Sequence, residues 1–262
     1  MLLEKAKVLV NERIRLKADY YLMELAAPGI TERAKPGQFL MITPAAQDSP
    51  FLKRPMGING ISRNNGCVRI IYQVKGKGTR VMTGLRSGDT VELLGPLGNG
   101  WHIPPAAQRA LMVGGGTGIA SILPLAKEIK MRGVLGEIVL GAASAEDIIC
   151  KEDFTIWGDV HIATEDGSLG ERGRLDIFLN DRTQPYDMVY ACGPVPMMRF
   201  VAEWARGLGL PCQVSMEERM GCGFGVCMGC VCETKSGDGP ISYKRVCREG
   251  PVFDAREVFF NG

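Results

Sequence analysis

Several features that often assign a function are scarce in this sequence. It has only two histidines, His102 and His161, and neither lies near a pair of cysteines. Lys and Arg together number 31 against 29 Asp and Glu, and they form no basic stripe. Nucleic-acid binding needs clustered positive charge to meet a phosphate backbone, so the sequence gives that function no support.

Long apolar segments are also missing. The longest uncharged run, residues 110–126, contains four glycines and a proline and is too short for a typical membrane span. The first residues, MLLEKAKVLVNERIRLK, carry charges every few positions and have no apolar signal core. We therefore expect a cytoplasmic protein that binds no membrane. Nine cysteines, an odd number, then favour free thiols and metal ligands over disulfides.

The pattern along the 262 residues predicts three parts. Residues 1–104 read as short strands separated by turn signals, which is typical of a small antiparallel β-barrel. The prolines at 104 and 105 mark a boundary, because neither can donate a ladder hydrogen bond. Residues 105–210 alternate strands and helices, which predicts an α/β domain with a parallel sheet. Residues 211–262 form a small module with too little core to fold well alone.

Four cysteines of the C-terminal module follow the spacing C-x₄-C-x₂-C-x₁₆-C: Cys222, Cys227, Cys230 and Cys247. This is the plant-type [2Fe–2S] pattern, in which a tight loop supplies three thiolates and a distant cysteine supplies the fourth. Zinc is the alternative, although zinc sites usually show two C-x₂-C pairs or nearby histidines. The loop is rich in glycines that would let the backbone fold around the sulfurs at unusual φ values: Gly221, Gly223, Gly225 and Gly229.

The barrel part carries three short motifs, namely Arg54-Pro55-Met56-Gly57, Ile71-Tyr72-Gln73 and Gly78-Thr79. An arginine can pair with a pyrophosphate through two parallel bonds, and the helix that starts near Gly78 offers backbone N–H groups to an anion. Together these residues could hold a dinucleotide flavin. Taken singly, each motif is equally consistent with an ordinary turn or a capped surface helix.

The α/β part carries two further motifs. The run Gly114-Gly115-Gly116-Thr117-Gly118 lies between a predicted strand and a predicted helix, where a nucleotide phosphate binds in such folds. Cys192-Gly193-Pro194 ends another predicted strand, so Cys192 is either close to a nicotinamide ring or a buried structural thiol. The acidic residues Glu146 and Asp147 favour NADH over NADPH, because a 2′-phosphate needs a basic partner.

In this order the motifs resemble the ferredoxin–NADP reductase superfamily. The C-terminal blocks EERMGCGFGVCMGCVCET and YKRVCREGPVF resemble a narrower family, the electron-transfer iron–sulfur flavoprotein subunits of NAD-dependent dihydroorotate dehydrogenase type 1B. The resemblance covers essentially the whole chain. It implies that the barrel motifs contact FAD, that the second part binds NAD(H), and that the four cysteines ligate the [2Fe–2S] cluster.

The resemblance also implies a relay in pyrimidine biosynthesis. Electrons would pass between NAD, FAD, the cluster and the FMN of a separate subunit that oxidises dihydroorotate, in a heterotetramer of two copies of each subunit. We expect Glu217, Glu218 and the loop 222–230 to dock that subunit. One alternative is the small subunit of an NADH-dependent ferredoxin or sulfide oxidoreductase. Another is a flavin-binding and NADH-binding regulator with structural zinc.

Two positions depart from the superfamily pattern. Many members have serine where Gly57 stands, and that hydroxyl lies near the reactive flavin nitrogen. Ser121 occupies a site where relatives often have proline. The first departure puts the tuning of the flavin in question, whereas the second is not expected to affect nucleotide binding.

Overall fold

The computed structural model describes residues 1–15, 19–44, 50–180, 185–235, 237 and 239–260. Its strands and helices form a closed barrel, a parallel sheet with helices and a C-terminal module. This arrangement confirms the fold class expected from the sequence. No helix among the described residues is long and apolar enough to cross a membrane.

Six antiparallel strands close the barrel in the order β1-β2-β5-β4-β3-β6. They are β1 (Leu2–Arg15), β2 (Tyr20–Ala26), β3 (Phe39–Ile42), β4 (Arg54–Ser62), β5 (Cys67–Gln73) and β6 (Thr90–Leu97). Two short helices, α1 (Pro28–Arg33) and α2 (Lys77–Met82), lie between strands. Alternate residues such as Val8, Met23 and Ile70 are fully buried, because every second side chain of a strand points to the inside of the barrel.

The parallel sheet contains six strands in the order β10-β9-β8-β7-β11-β12. They are β7 (Arg109–Gly115), β8 (Leu135–Ala142), β9 (Asp159–Thr164), β10 (Glu171–Arg172), β11 (Met188–Cys192) and β12 (Cys212–Ser215). The connecting helices are α3 (Gly118–Met131), a 3₁₀ turn (Ala145–Asp147), α4 (Lys151–Phe154), α5 (Asp176–Leu179) and α6 (Val195–Gly207).

Helices cover both faces of this sheet. On β7, Met112 packs into the core that contains α3, whereas Val113 packs into the core that contains α6. A strand buried on both faces needs an unbroken apolar run, which explains the sequence ALMV at this position. The carboxyl ends of β7 and β11 lie side by side, since Gly114 pairs with Cys192.

The C-terminal module does not separate cleanly from the sheet. Its hairpin consists of β13 (Val231–Lys235) and β14 (Ile241–Arg245), and β15 (Val252–Asp254) then joins the sheet antiparallel to β12. The sheet therefore extends past the boundary expected at residue 210. Strand β15 could not be predicted from the sequence, because three residues are too few to show a period and their partner strand is distant in the chain.

One core joins the module to both other parts. The buried cysteines Cys230 and Cys247 pack in the same cluster of apolar side chains as Met41 of the barrel and Val214 of the sheet. Phe253 of β15 belongs to this cluster as well. The module thus takes most of its apolar partners from the rest of the chain, in agreement with its small size.

Candidate functional site

A cavity of about 300 Å³ lies between the barrel and the sheet. The barrel wall is formed by eight of the predicted flavin residues: Arg54, Pro55, Met56, Gly57, Ile71, Tyr72, Gln73 and Thr79. The opposite wall includes Thr117, Ser121, Ser215, Glu217 and Glu218. The fold therefore brings motifs from β4, β5 and α2 onto one surface, which faces the residues that follow β7 and β12.

Gly78, the ninth predicted flavin residue, lies directly under the side chain of Arg54. A methyl group on Gly78 would lie 2.7 Å from Cζ of Arg54, so a larger residue here would displace the guanidinium from this position. The hydroxyl of Thr79 accepts the backbone N–H groups of Lys75, at 3.0 Å, and Gly76, at 3.2 Å. Thr79 thus orders the turn, and the arginine supplies the positive charge that a pyrophosphate requires.

Tyr72 is held inside the barrel wall. Its ring stacks on that of Tyr21, with ring centroids 5.5 Å apart. Its hydroxyl donates to Oδ1 of Asn11 at 3.0 Å. Burial raises the pKa of Tyr72, so the phenol stays neutral and acts as a fixed donor within the barrel.

The glycine-rich loop after β7 packs against the loop after β11. A methyl group on Gly115 would lie 3.2 Å from Cδ of Pro194, and one on Gly193 would lie 2.8 Å from the carbonyl oxygen of Gly115. Gly118 approaches the backbone of Cys192 in the same way. Close packing between two loops therefore explains part of this glycine run, which sequence reasoning assigned to a phosphate alone.

Two other residues of the loop, Gly116 and Thr117, are open to a ligand. Gly116 has φ +53° and no atom within 4 Å of a built Cβ, and Thr117 lines the cavity. Gly114 is buried beside Ile119 and Leu140. Backbone at Gly116 and Thr117, next to the start of α3, is therefore the part of the run that a nucleotide could reach.

Cys192 lies behind the cavity wall with an exposed fraction of 1%. Burial and the nearby charge of Glu217 raise the pKa of its thiol to about 12, against a smaller opposite effect of hydrogen bonds with Ser215 and Ser121. The thiol is therefore protonated at neutral pH and is not a nucleophile. Its neighbours Ser121 and Ser215 line the cavity directly.

Glu217 and Glu218 line the same cavity, although sequence reasoning assigned them to a docking surface. Burial raises the pKa of Glu217, and the positive charge of Lys75 partly offsets this effect. The side chain of Glu217 is exposed to solvent, and many protein atoms nevertheless lie near its carboxyl group and weaken its hydration. Its carboxylate therefore faces the cofactor cavity.

Two of the four cluster-loop glycines have the backbone conformation that favours glycine. Gly223 has φ +80° and Gly225 has φ +90°, whereas Met228 adopts φ +59° without being glycine. Gly221 and Gly229 lie next to a cluster-loop sulfur. A methyl group on them would lie 3.3 Å and 3.5 Å from Sγ of Cys227. The loop thus keeps space around a sulfur as well as turning tightly.

Backbone N–H groups surround the cysteine sulfurs. Those of Val226 and Cys227 point to Sγ of Cys222 at 3.4 Å and 3.5 Å, and that of Cys247 points to Sγ of Cys230 at 3.4 Å. Burial raises the pKa of Cys222, but these backbone bonds outweigh it and bring the pKa to about 6. Such N–H groups stabilise thiolates, which are the form that binds metal.

The four cysteines also interact with one another. Burial raises the pKa of Cys247 to about 12, and the neighbouring sulfurs of Cys230 and Cys222 add to the effect. Each ionised sulfur disfavours ionisation of its neighbours, so several thiolates in one site need a bound cation to balance their negative charge. The four sulfurs and the N–H groups around them fit an iron–sulfur cluster, and no histidine lies in this loop to suggest zinc.

Arg245 is a functional residue that sequence reasoning missed. Its Nη1 donates to the carbonyl oxygen of Gly225 at 2.7 Å, and its Nε donates to Glu249 at 2.9 Å. It therefore fastens the cluster loop to the tail that carries Cys247. The tail motif YKRVCREGPVF contains both partners of the ion pair between Arg245 and Glu249, but its spacing alone does not show that the arginine reaches Gly225.

The cluster loop packs on the barrel at Met41 of β3. A methyl group on Gly223 would lie 2.9 Å from Sδ of Met41. Met41 pairs in turn with Pro55 of β4, one of the residues that line the cavity. Met41 thus contacts the cluster loop and lies beside a strand of the predicted flavin wall.

Two family models match the chain. The model of the oxidoreductase NAD-binding domain matches residues 112–203, and that of the iron–sulfur cluster binding domain of dihydroorotate dehydrogenase B matches residues 217–259. With the barrel, these matches define a flavin-dependent and nicotinamide-dependent oxidoreductase that carries an iron–sulfur cluster. They confirm the expected cofactors: FAD, a [2Fe–2S] cluster and NAD(H).

The chain is similar over nearly its whole length to electron transfer subunits of dihydroorotate dehydrogenase B (NAD(+)). It is 42% identical to that of Bacillus caldolyticus over 240 residues, which cover 91% of this chain and 92% of the relative. It is 40% identical to that of Caldanaerobacter subterraneus over 256 residues, or 98% of each chain. The chain therefore belongs to the family of dihydroorotate dehydrogenase B electron transfer subunits.

Solved structures agree with this fold. The NADH-dependent reduced ferredoxin-NADP oxidoreductase superposes with a TM-score of 0.86 at 30% identity, covering 97% of this chain and 90% of that chain. Full-length CYP116B46 from Tepidiphilus thermophilus superposes with a TM-score of 0.67 at 19% identity, covering 90% of this chain and 37% of that one. The second likeness shows the fold alone.

Proposed function

We propose that this chain relays electrons between NAD(H) and the FMN of a separate dihydroorotate-oxidising subunit. When bound, FAD exchanges a hydride with the nicotinamide and single electrons with the cluster, which makes it the converter between two-electron and one-electron steps. In the physiological direction, electrons would leave dihydroorotate and end on NAD. The chain itself contributes binding, orientation and electrostatics.

The observation that carries this proposal is the position of Met41. This residue is fully buried, lies against Gly223 of the cluster loop and pairs with Pro55 of the cavity wall. A relay needs its two redox groups close together with no water-filled gap between them. Met41 contacts the cluster loop and is the strand partner of Pro55, so the two sites adjoin through packed protein.

The cofactor sites follow from the same geometry. Arg54 would bind the FAD pyrophosphate, with the turn at Gly78 and Thr79 beside it, and the strands carrying residues 55–57 and 71–73 would hold the rest of the molecule. Gly114 to Gly118 and Cys192 to Pro194 would form the NAD(H) site. Within that site, Gly116 and Thr117 would contact the nucleotide, and the other residues would shape the loops. Cys222, Cys227, Cys230 and Cys247 would ligate the cluster.

The surface beside the cluster suits a protein partner. Three apolar side chains of the loop are exposed: Phe224 by 40%, Val226 by 71% and Met228 by 51%. Exposed apolar side chains around a redox centre favour docking of a partner that excludes water. We propose that this surface binds the FMN subunit, in a heterotetramer with two copies of each chain. Glu217 and Glu218 are exposed, line the nearby cavity and remain part of the proposed docking surface.

We propose three domains: residues 1–104 bind FAD, residues 105–210 bind NAD(H), and residues 211–262 bind the cluster. Strands β12 and β15 belong to the cluster domain in sequence but complete the sheet of the NAD(H) domain. A cytoplasmic location agrees with nine free cysteines, since thiols persist in a reducing compartment.

One observation supports the alternative function as the small subunit of an NADH-dependent ferredoxin or sulfide oxidoreductase. It is the 30% identity to the NADH-dependent reduced ferredoxin-NADP oxidoreductase. Relatives among the dihydroorotate dehydrogenase B subunits reach 42% identity. The greater identity favours the dihydroorotate-linked relay.

The test is dihydroorotate-dependent reduction of NAD, measured before and after addition of a purified FMN-containing dihydroorotate-oxidising subunit. The chain alone should reduce artificial acceptors with NADH but leave dihydroorotate unchanged, and the added subunit should restore turnover. Turnover by the chain alone would contradict the proposal. No turnover with the added subunit, together with rapid reduction of ferredoxin, would favour the alternative.

A further inference from the structure

Gly57 and Ser121 meet where the two walls of the cavity adjoin. Gly57 lies on β4 of the barrel, and Ser121 lies in the first turn of α3. A methyl group on Gly57 would lie 2.9 Å from Oγ of Ser121, which is too close unless the hydroxyl moves. The absence of a side chain at residue 57 therefore leaves room for the hydroxyl of Ser121.

This contact lies at the point of hydride transfer. The reacting edges of flavin and nicotinamide must touch, so the reaction belongs where the proposed FAD wall adjoins the proposed NAD(H) loops. Gly57 of the first, Thr117 of the second and Ser121 all line the same cavity. Ser121 also lies near the thiol of Cys192 at the end of β11.

A second serine, Ser215, also lines the cavity and lies near Cys192. It lies on β12, next to β11 and away from the barrel strands. Of these two hydroxyls, the one of Ser121 is in contact distance of the barrel wall at Gly57. Ser121 is therefore the better placed of the two to reach a flavin held by that wall.

We propose that the hydroxyl of Ser121 is the hydrogen-bond donor to the reacting edge of the flavin, in place of a side chain at residue 57. This inference rests on the proposed FAD site. A donor at this edge stabilises the negative charge that builds up as the flavin is reduced. It therefore raises the reduction potential of the flavin and speeds hydride transfer from NADH to the flavin.

The first test compares Ser121→Ala with the unchanged chain carrying its cofactors. The variant should keep its FAD, because alanine is smaller and suits a helix. Its FAD midpoint potential should become more negative, and its visible flavin band should shift. FAD reduction by NADH should slow about tenfold, the usual effect of losing one hydrogen bond to a group that gains charge, with an unchanged KM for NADH. Thr155→Ala, an exposed hydroxyl outside the cavity, should change none of these.

The second test moves the hydroxyl to the other wall. Gly57→Ser alone should slow the reaction, because its Cβ crowds Ser121. Gly57→Ser combined with Ser121→Ala should restore the potential and the rate, since a hydroxyl is then supplied from β4. Wild-type behaviour of Ser121→Ala would overturn the proposal, as would a double variant as slow as Ser121→Ala. A wild-type chain that binds no FAD would overturn both this inference and the proposed FAD site.

Discussion

Arg245 donates to the carbonyl oxygen of Gly225 at 2.7 Å and so fastens the tail of the chain to the cluster loop. Its guanidinium also pairs with Glu249 four residues later and lies close to the sulfurs of Cys230 and Cys247. Three of the proposed cluster ligands lie in the loop and the fourth in the tail. A single side chain therefore holds the two parts of the site in register.

Replacing Arg245 by Gln should make the cluster harder to reduce. The change removes a positive charge near the thiolates, which favours the oxidised cluster and lowers its midpoint potential. The loop should also lose iron faster during storage, because its link to the tail is weakened. Potentiometric titration checks the first effect and iron analysis over time the second. Arg248→Gln, whose side chain is 62% exposed, is the matched control and should have the smaller effect.

Replacing Cys227 or Cys230 by Ser should abolish the visible absorbance of the cluster. Metal binding is coupled to folding in so small a module, so the variants should also unfold at a lower temperature. Absorbance spectra and iron content check the first effect, and thermal unfolding the second. Cys232→Ser is the control and should keep a nearly normal spectrum. A full complement of iron in either ligand variant would refute the assignment.

Replacing Gly223 by Ala should disturb the contact between the cluster loop and the barrel. The backbone at Gly223 has φ +80°, which costs an alanine about 1–2 kcal/mol. The added methyl group would also press on Met41. Electron transfer from reduced FAD to the cluster should slow, as measured by stopped-flow absorbance.

Gly209→Ala separates the cost of a positive φ from the effect of the contact with Met41. Gly209 also has a positive φ, +69°, but a methyl group there would meet no atom within 4 Å. This variant should lose a similar amount of stability yet transfer electrons at the normal rate. Equal slowing in both variants would mean that the contact with Met41 has no part in the relay.

Replacing Arg54 by Ala should weaken FAD binding by about ten- to a hundredfold, since it removes charge-assisted hydrogen bonds to the pyrophosphate. Flavin fluorescence on dilution of the purified chain measures the loss. Arg54→Lys should recover part of the affinity, because lysine supplies the charge without the two-pronged geometry. Arg80→Ala, an exposed arginine of the neighbouring helix, should bind FAD normally.

Local patterns were enough to predict most of the architecture. Turn signals between short strands predicted the barrel, and the alternation of strands and helices after residue 105 predicted the parallel sheet. Cysteine spacing predicted the cluster, because loop ligation depends on residues that are close in sequence.

Contacts between distant segments could not be predicted in this way. The approach of Ser121 to Gly57 depends on how α3 docks on the barrel, and the addition of β15 to the sheet depends on a strand of three residues. Gly115 and Gly118 were read as phosphate ligands because nothing in the sequence reveals that Cys192 to Pro194 pack against them.

The most direct test of the relay is electron paramagnetic resonance of the cluster after anaerobic addition of NADH. The unchanged chain and FAD-free Arg54→Ala are compared, with dithionite as a control that reduces the cluster in both. If FAD lies between NADH and the cluster, NADH should reduce the cluster in the unchanged chain and leave it oxidised in the variant. Equal reduction by NADH in both, or an oxidised cluster beside reduced FAD in the unchanged chain, would contradict the account.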